Sequence, residues 1–91
     1  MEDEIIHNRN LKTFRYLKDG RENYLSYEIK GDSLDLTHTF VDPGCRGQGI
    51  AGALVSTALR FAGENGYKVI PSCSYVEIFI KRHEKWKYLV S

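Results

Sequence analysis

The fold of this 91-residue chain is decided by the segment Val41-Asp42-Pro43-Gly44-Cys45-Arg46-Gly47-Gln48-Gly49-Ile50-Ala51. It leads from an alternating apolar pattern, through a glycine-rich loop, into a pattern with helical periodicity. The first amides of a helix lack partners within the helix and lie at the positive end of its dipole, and glycine lets a ligand approach the backbone closely. The segment therefore predicts a site for a phosphate-bearing ligand, where Arg46 clamps a phosphate or braces the loop.

Residue spacing in this segment excludes two common nucleotide-binding loops. A P-loop requires a Gly-Lys-Ser or Gly-Lys-Thr sequence, and no lysine occurs between Val41 and Ala62. Residues 47–52 do match the dinucleotide pattern GxGxxG. However, three predicted strands precede them, no acidic residue closes the second strand, and too little chain remains for a nicotinamide site. We therefore expect neither a P-loop nucleotidase nor a nicotinamide enzyme.

Upstream of the loop, three runs alternate between apolar and polar residues: 11–18, 22–30 and 33–41. Two dipeptides separate these runs, Asp19-Gly20 and Gly31-Asp32, and both suit two-residue hairpin turns. The pattern predicts an antiparallel meander, with Ile5 and Ile6 extending its first strand. The apolar faces of the three strands are predicted to contain Phe14 and Tyr16, then Leu25, Tyr27 and Ile29, then Leu34, Leu36 and Phe40.

Downstream of the loop, residues 50–62 have the 3.6-residue apolar period of a helix that ends at Asn65-Gly66. Residues 67–71 then predict a strand, and a strand, helix, strand order favours a right-handed parallel crossover. Ser74 and Glu77 have the spacing of a capping box at the start of a second helix. The tail, residues 84–91, is expected to pack back on the body, without an assigned structure.

Composition predicts one compact domain over residues 1–91, with a core drawn from the 42% hydrophobic residues. Thirteen Lys and Arg against twelve Asp and Glu give a net charge of +1, which creates no overall field toward nucleic acid or membranes. The longest apolar or small stretch, residues 50–55, is too short to cross a bilayer, and the acidic residues 1–4 are followed by no apolar run. We therefore expect a soluble cytoplasmic protein, monomeric or weakly dimeric, without nucleic-acid or membrane partners.

The two cysteines, Cys45 and Cys73, lie too far apart for a zinc motif, so we expect no metal site. A reducing compartment also argues against a disulfide between them. One basic cluster lies near the carboxyl end, where a solvated helix end explains it better than nucleic-acid binding. Its members are Lys81, Arg82, Lys85 and Lys87.

Residues Arg46-Gly47-Gln48-Gly49-Ile50-Ala51 resemble the Arg/Gln-x-x-Gly-x-Gly/Ala signature of the GNAT N-acetyltransferase superfamily. Residues 36–39 before them and 71–76 after the crossover resemble a narrower group, the very short GNAT-like N-acetyltransferase domain proteins. The resemblance extends from about His7 to Val90. It implies an α/β fold of the α+β mixed-sheet type, in which an antiparallel meander gains one parallel crossover strand and helices pack on the sheet.

The resemblance further implies an acetyl-CoA-dependent acetyltransferase. The backbone around Phe40 and Val41 would pair with pantetheine where the strands on either side of the crossover separate, and the loop amides would bind the pyrophosphate of coenzyme A. The thioester would then point toward Cys73. The implied coenzyme-binding residues are Phe40, Val41, Cys45, Arg46, Gly47, Gln48, Gly49, Ile50, Ala51 and Ser72.

Cys73 and His38 are the candidate catalytic residues. A thiolate near a helix N-terminus can attack a thioester, although a cysteine in this place can equally be a small buried hydrophobe. His38 is predicted to share the face of Leu34, Leu36 and Phe40, where it is either a general base or a core histidine. Relatives often carry an acidic residue where this chain has Phe40, and this departure argues against direct attack by the amine. Tyr75 is either a general acid or a core aromatic residue.

Two other functions remain open at this point. The missing carboxylate at position 40 favours a coenzyme A binding module without catalysis, and the basic cluster allows an interaction protein. Because so little chain lies outside the coenzyme-binding half, no walled acceptor pocket is predicted. An amine of a protein or a polyamine, approaching an open cleft, fits this better than a small buried substrate.

Overall fold

The computed structural model describes residues 5–90; the acidic residues 1–4 and Ser91 lie outside this range. The chain forms a five-stranded sheet whose strands lie in sequence order, β1-β2-β3-β4-β5. Their bounds are β1 Ile6–Asn8, β2 Thr13–Lys18, β3 Arg21–Lys30, β4 Ser33–Phe40 and β5 Lys68–Ile70. The two α-helices are α1 Ile50–Glu64 and α2 Ser74–Arg82. A short 3-10 turn at Pro43–Cys45 precedes α1, and another at Glu84–Leu89 follows α2.

The predicted meander and crossover are confirmed. Strands β1 to β4 pair antiparallel, and β5 pairs parallel to β4 after α1. The two hairpin turns have the expected left-handed backbone, with φ of 75° at Gly20 and 60° at Gly31. The prediction that Ile5 and Ile6 extend the first strand is wrong. A turn follows Asn8, whose Oδ1 accepts a hydrogen bond from the Leu11 amide, so Ile6 belongs to a separate strand that folds back on β2.

The helices pack on one face of the sheet. α1 lies next to α2 at Gly52, where a Cβ would stand 3.5 Å from the Phe79 ring, and next to the second 3-10 turn at Gly63, where a Cβ would stand 3.0 Å from the Tyr88 hydroxyl. A single cluster of buried side chains joins these helices to the sheet. Ile29 lies on its predicted face, opposite Leu34, but it is 47% exposed near the end of β3.

The tail packs back on the body, as predicted. Leu89 is buried in the core, and Val90 forms a parallel bridge with Val69 beside β5. Within residues 5–90, no helix has the length and apolar character needed to cross a membrane.

The predicted capping box at Ser74 is wrong. The Cys73 amide donates a hydrogen bond to the Leu36 carbonyl at 3.0 Å, which fixes Cys73 as the residue before the helix. Ser74 is therefore the first residue inside α2, and no side-chain hydrogen bond of ordinary length caps the helix. Ser74 and Glu77 have the spacing of a capping box, but the hydrogen bond between Cys73 and Leu36 makes the helix start one residue earlier.

A β-bulge in β4 reverses the predicted face of His38. Tyr27 pairs with Leu36 and Ser26 pairs with His38, so Thr37 is an extra residue without a partner on β3. Side chains of a strand alternate between faces, and one extra residue inverts the alternation beyond it. Thr39 therefore follows Leu36 on the helix-covered face, and the prediction that His38 and Phe40 lie there is wrong.

The opposite side of the sheet, which we call the open face, carries no helix within the described part of the chain. It is formed by Ile6, Asn8, Thr13, Arg15, Leu17, Glu22, Tyr24, Ser26, Glu28, Asp35, His38 and Phe40.

Strands β4 and β5 separate after a short contact. Their register couples residues 33–35 to residues 68–70, and the Cys73 amide is the next group bonded to β4, at the Leu36 carbonyl. Among the described residues, no strand pairs with the β5 side of residues 37–40. The carboxyl-terminal half of β4 thus has an edge that is not paired with β5.

Candidate functional site

A surface cavity of about 350 Å³ lies where β4 ends and α1 begins. This is the position at which open α/β sheets commonly bind ligands, at the carboxyl ends of strands that separate. The cavity is lined by Thr39, Val41, Cys45, Arg46, Gly47, Gly49, Ile50, Ala51, Gly52 and Tyr75.

The glycine loop has the conformation that the sequence predicts for an anion site. Gly47 and Gly49 have φ of 80° and 77°, a region that residues with a Cβ rarely adopt. A Cβ built on either glycine would meet nothing within 4 Å, so the space beside the loop is open to a ligand. Gly49 is the N-cap of α1, and the amides of the first helical turn face no partner within the helix. These features fit a diphosphate.

The loop is braced from the neighbouring hairpin. Buried Asn23 accepts a hydrogen bond from the Asp42 amide at 2.8 Å and donates one to the Tyr16 carbonyl at 3.2 Å. Asp42 in turn accepts hydrogen bonds at 2.9 Å from the Gly44 amide and the Arg21 guanidinium. The Gly44 amide, and to a smaller extent the Arg21 guanidinium, hold the pKa of the Asp42 carboxyl below its usual range. Arg21 therefore neutralises the one carboxylate of the loop next to the predicted anion site.

Of the two roles that the sequence predicts for Arg46, the structure shows a bracing contact within the loop. Its Nε donates to the Val41 carbonyl at 3.4 Å, which ties the start of the loop to its middle. Its side chain is exposed and lines the cavity. A guanidinium in this position can reach a phosphate while it holds the loop.

Cys73 lies at the entrance to α2, on the helix-covered side of the sheet. Its Sγ stands 3.5 Å from Thr39 Oγ1, and Thr39 lines the cavity. Burial alone would raise the pKa of the Cys73 thiol, but the Thr39 hydroxyl and the amides of Val76 and Tyr75 favour the thiolate and lower it. Both cysteines are free thiols. Cys45 is only 1% exposed and belongs to the core as well as to the cavity wall.

His38 is exposed on the open face, together with Phe40. The Tyr24 ring is stacked on the Phe40 ring, with centroids 5.5 Å apart, and lies 6.1 Å from the His38 ring. His38 and Thr39 are consecutive, so their side chains flank the unpaired edge of β4 from opposite faces. His38 is therefore not a core histidine. Tyr75 is 40% exposed and lines the cavity, which argues against its reading as a core aromatic residue.

The cavity wall includes most of the predicted coenzyme-binding residues. Gln48 is exposed in the loop but does not line the cavity, and neither does the Phe40 side chain. Ser72 is exposed just after β5. Burial alone would raise the pKa of the Asp35 carboxyl, but hydrogen bonds from the Ser72 hydroxyl and from Lys30 lower it. Within residues 5–90, no group of three or more His, Cys, Asp and Glu side chains could hold a metal ion.

Several residues of the site were missed in the sequence. Arg21 and Asn23 brace the loop, but their contact with Asp42 lies beyond the bulge, which shifts the register of β4 against β3 by one residue and was not predicted from the sequence. Thr39 was hidden by the bulge, which shifts it to the cavity side. Gly52 could have been predicted from the sequence, since it lies about one helical turn after Gly49 and therefore on the side of α1 that faces the cavity.

Comparisons with known proteins agree with this geometry. The family of GCN5-related N-acetyl-transferases matches residues 13–89. Protein NATD1 of Gallus gallus is 33% identical over 89 residues, covering 94% of this chain and 81% of that protein. Protein NATD1 of Homo sapiens is 34% identical over 88 residues, covering 93% of this chain and 78% of that protein.

The fold has a solved counterpart as well. The NMR solution structure of a GCN5-like protein from Staphylococcus aureus superposes with a TM-score of 0.78 at 22% identity, covering 100% of this chain and 91% of that one. The chain belongs to the GCN5-related N-acetyltransferase family, as a short GNAT-like domain protein. The predicted mixed sheet with helices packed on it is confirmed.

Proposed function

We propose that this protein is an acetyltransferase that uses acetyl-CoA and transfers the acetyl group to an amine. The observation that carries the proposal is that a glycine loop at the N-terminus of α1 adjoins the unpaired edge of β4. The loop offers amides to a diphosphate, and the strand edge offers backbone groups to the amide-bearing pantetheine arm. Family membership supports the same chemistry.

Acetyl-CoA would supply an activated acetyl thioester. The acceptor nitrogen forms a bond to the carbonyl carbon, the C–S bond breaks, and coenzyme A leaves as its thiolate. The protein contributes mainly position: the loop and Arg46 hold the diphosphate, and the edge of β4 directs the pantetheine. His38 lies at the edge from which an amine can approach, and its imidazole accepts the proton that the amine loses.

Cys73 provides a second route to the same product. Its thiolate attacks the thioester carbonyl, acetyl-cysteine forms and coenzyme A leaves as a thiolate; the amine then attacks the acetyl-cysteine and regenerates the Cys73 thiolate. The lowered pKa of Cys73 and its contact with Thr39 support this relay. Wild-type protein incubated with acetyl-CoA would gain the mass of one acetyl group, and Cys73→Ser would not. No mass gain under conditions where coenzyme A binds would exclude the relay and leave direct transfer.

A coenzyme A binding module without catalysis is the alternative. One observation favours it: within residues 5–90, no Asp or Glu lines the cavity, so none of these carboxylates can serve as a base there. The two functions differ in a simple outcome. Binding of coenzyme A without acetyl transfer to any member of a panel of amines would support the module.

The proposal predicts a specific role for Arg46. Arg46→Glu should weaken coenzyme A binding by about 1.5 to 3 kcal/mol, the scale of a charge-assisted hydrogen bond, as measured by calorimetry. Arg60→Glu is the matched control. Arg60 is also an exposed arginine, but it lies nearly three helical turns from the start of α1 and does not line the cavity. If both variants bind coenzyme A equally well, Arg46 does not belong to the site.

A further inference from the structure

Arg21 lies beside the glycine loop but outside the cavity wall. It is the first residue of β3, and it is not among the residues that line the cavity. Its Nη1 donates a hydrogen bond at 2.9 Å to Asp42 Oδ1, at the start of the loop. The same oxygen accepts a hydrogen bond from the Gly44 amide at 2.9 Å. One carboxylate oxygen therefore joins the hairpin of β2 and β3 to the loop.

The Arg21 guanidinium lies against the backbone of Gly44. A Cβ built on Gly44 would stand 2.5 Å from Arg21 Nη1 and 2.8 Å from its Cζ. Both distances are well below the contact distance of non-bonded heavy atoms, so any side chain at position 44 would displace the guanidinium. Gly44 does not have the positive φ of Gly47 and Gly49, and its backbone conformation therefore does not require glycine. Glycine at this position leaves room for Arg21.

The charge of the loop depends on this contact. Residues 41–49 contain two charged side chains, Asp42 and Arg46, which have opposite signs. The Gly44 amide and the Arg21 guanidinium lower the pKa of the Asp42 carboxyl, so Asp42 is ionised at neutral pH. An ionised carboxylate beside a diphosphate would repel it. Paired with Arg21, the carboxylate is neutralised, and Arg46 gives the loop one unmatched positive charge.

We propose that Arg21 is a positioning residue for the coenzyme: from outside the cavity it cancels the charge of Asp42 and fixes the start of the loop, and it thereby sets the affinity of the loop for a diphosphate. This inference rests on the proposed function and adds a residue of the neighbouring hairpin to it. Arg21 acts through Asp42 and does not touch the coenzyme. The side chains of the pair are 54% and 27% exposed, and ion pairs exposed to this extent contribute little to folding stability. The effect of Arg21 therefore belongs to binding rather than to unfolding.

The test is a calorimetric titration of full-length variants with coenzyme A. Arg21→Gln leaves the Asp42 carboxylate unpaired and should weaken binding about threefold to tenfold, the scale of one charge acting on a diphosphate across partly screened solvent. Asp42→Asn removes the charge but keeps the oxygen that accepts the Gly44 amide. The double variant Arg21→Gln/Asp42→Asn has the net loop charge of the wild type, so its affinity should return to within about twofold of the wild-type value. A role of Arg21 in structure alone would give no such recovery.

Gly44→Ala reaches the same contact by a different route. It keeps both charges but places a methyl group where the Arg21 guanidinium lies. It should weaken coenzyme A binding as Arg21→Gln does, and it should cause no further loss when it is added to Arg21→Gln, because the displaced group is then already absent. Urea denaturation of each variant should give nearly the wild-type midpoint, since the pair is exposed.

The matched control is Lys12→Gln, which removes one positive charge from another exposed ion pair, with Glu28 at 3.5 Å. Glu28 lies near the opposite end of β3 from Arg21, about 23 Å away at about 3.3 Å per residue, so coenzyme A binding should be unchanged.

The inference is overturned if Arg21→Gln binds coenzyme A as tightly as the wild type, if Asp42→Asn does not restore the affinity of Arg21→Gln, or if Lys12→Gln causes an equal loss. Each of these outcomes leaves coenzyme A binding by the wild type intact. Failure of the proposed function has a separate signature, because the wild type itself would then not bind coenzyme A.

Discussion

The Cys73 thiol owes its character to three neighbours at the start of α2. The Thr39 hydroxyl lies 3.5 Å from Sγ, and the amides of Val76 and Tyr75 add the positive end of a helix. These groups outweigh burial and favour the thiolate. Cys45, in contrast, is enclosed in the core, where a thiol is protected from reagents. The two cysteines of the chain should therefore differ strongly in reactivity.

Iodoacetamide should modify Cys73 several-fold faster than Cys45 at neutral pH, as measured by peptide mass spectrometry. Because the alkylation rate follows the thiolate fraction, and the Cys73 pKa is lowered, its rate should reach half of its maximum below the pH typical of a free thiol. Thr39→Val removes one stabilising hydrogen bond and should move that midpoint upward. Equal rates at both cysteines, or a midpoint unaffected by Thr39→Val, would contradict this account.

Individual residues differ in how far the sequence predicts them. Gly47 and Gly49 could be assigned to the loop because glycine best tolerates the backbone region that they occupy. The face of His38 could not be assigned, since a bulge adds one residue without any distinctive side chain. The ion pair of Arg21 with Asp42 was not predicted either, because the bulge changes the register at that end of the hairpin.

At the scale of elements, α1 begins and ends with glycines that have the same left-handed backbone. Gly49 precedes the helix with φ of 77°, and Gly66 follows it with φ of 75°. Neither position has a steric obstacle to a Cβ within 4 Å. The two glycines therefore form a natural matched pair for separating the cost of backbone strain from the loss of ligand binding.

Gly49→Ala and Gly66→Ala should each lower the free energy of unfolding by about 1 to 2 kcal/mol, because alanine is strained in this backbone region. Chemical denaturation would measure the change. Only Gly49→Ala should also weaken coenzyme A binding, since its added Cβ enters the space beside the loop. Equal coenzyme A affinity for the two variants would show that the loop does not bind the coenzyme.

Elements were easier to predict than their boundaries. The 3.6-residue period identified α1, and Asn65-Gly66 identified its end, because these signals depend on neighbouring residues alone. The start of α2 was misplaced, since a hydrogen bond from Cys73 to the distant Leu36 carbonyl determines it. The separate strand β1 was missed for a similar reason: its short apolar run gains meaning only when it pairs with β2.

At the scale of the whole molecule, burial is one-sided. Leu34 is fully buried between the sheet and the helices, whereas Leu17 is 64% exposed on the open face. The stability of the fold therefore depends on a single layer of side chains. The position of the cavity was also predictable at this scale, because open α/β sheets commonly bind ligands at the carboxyl ends of neighbouring strands that separate.

Leu34→Ala should lower the free energy of unfolding by about 2 to 5 kcal/mol, since it leaves a cavity in the core. Leu17→Ala removes the same atoms from an exposed position and should change stability by no more than about 0.5 kcal/mol. Urea denaturation would measure both. A large effect of Leu17→Ala would mean that Leu17 is covered in solution and contradict its exposed position.

The unpaired edge of β4 has a kinetic consequence. In the proposed transfer, acetyl-CoA would reach this edge from the side of the cavity and the amine from the side of His38, so the two reactants would need no common entrance. Neither one blocks the arrival or the departure of the other. For direct transfer, either reactant can therefore arrive first, and initial-rate plots at several concentrations of the second reactant would give intersecting rather than parallel lines.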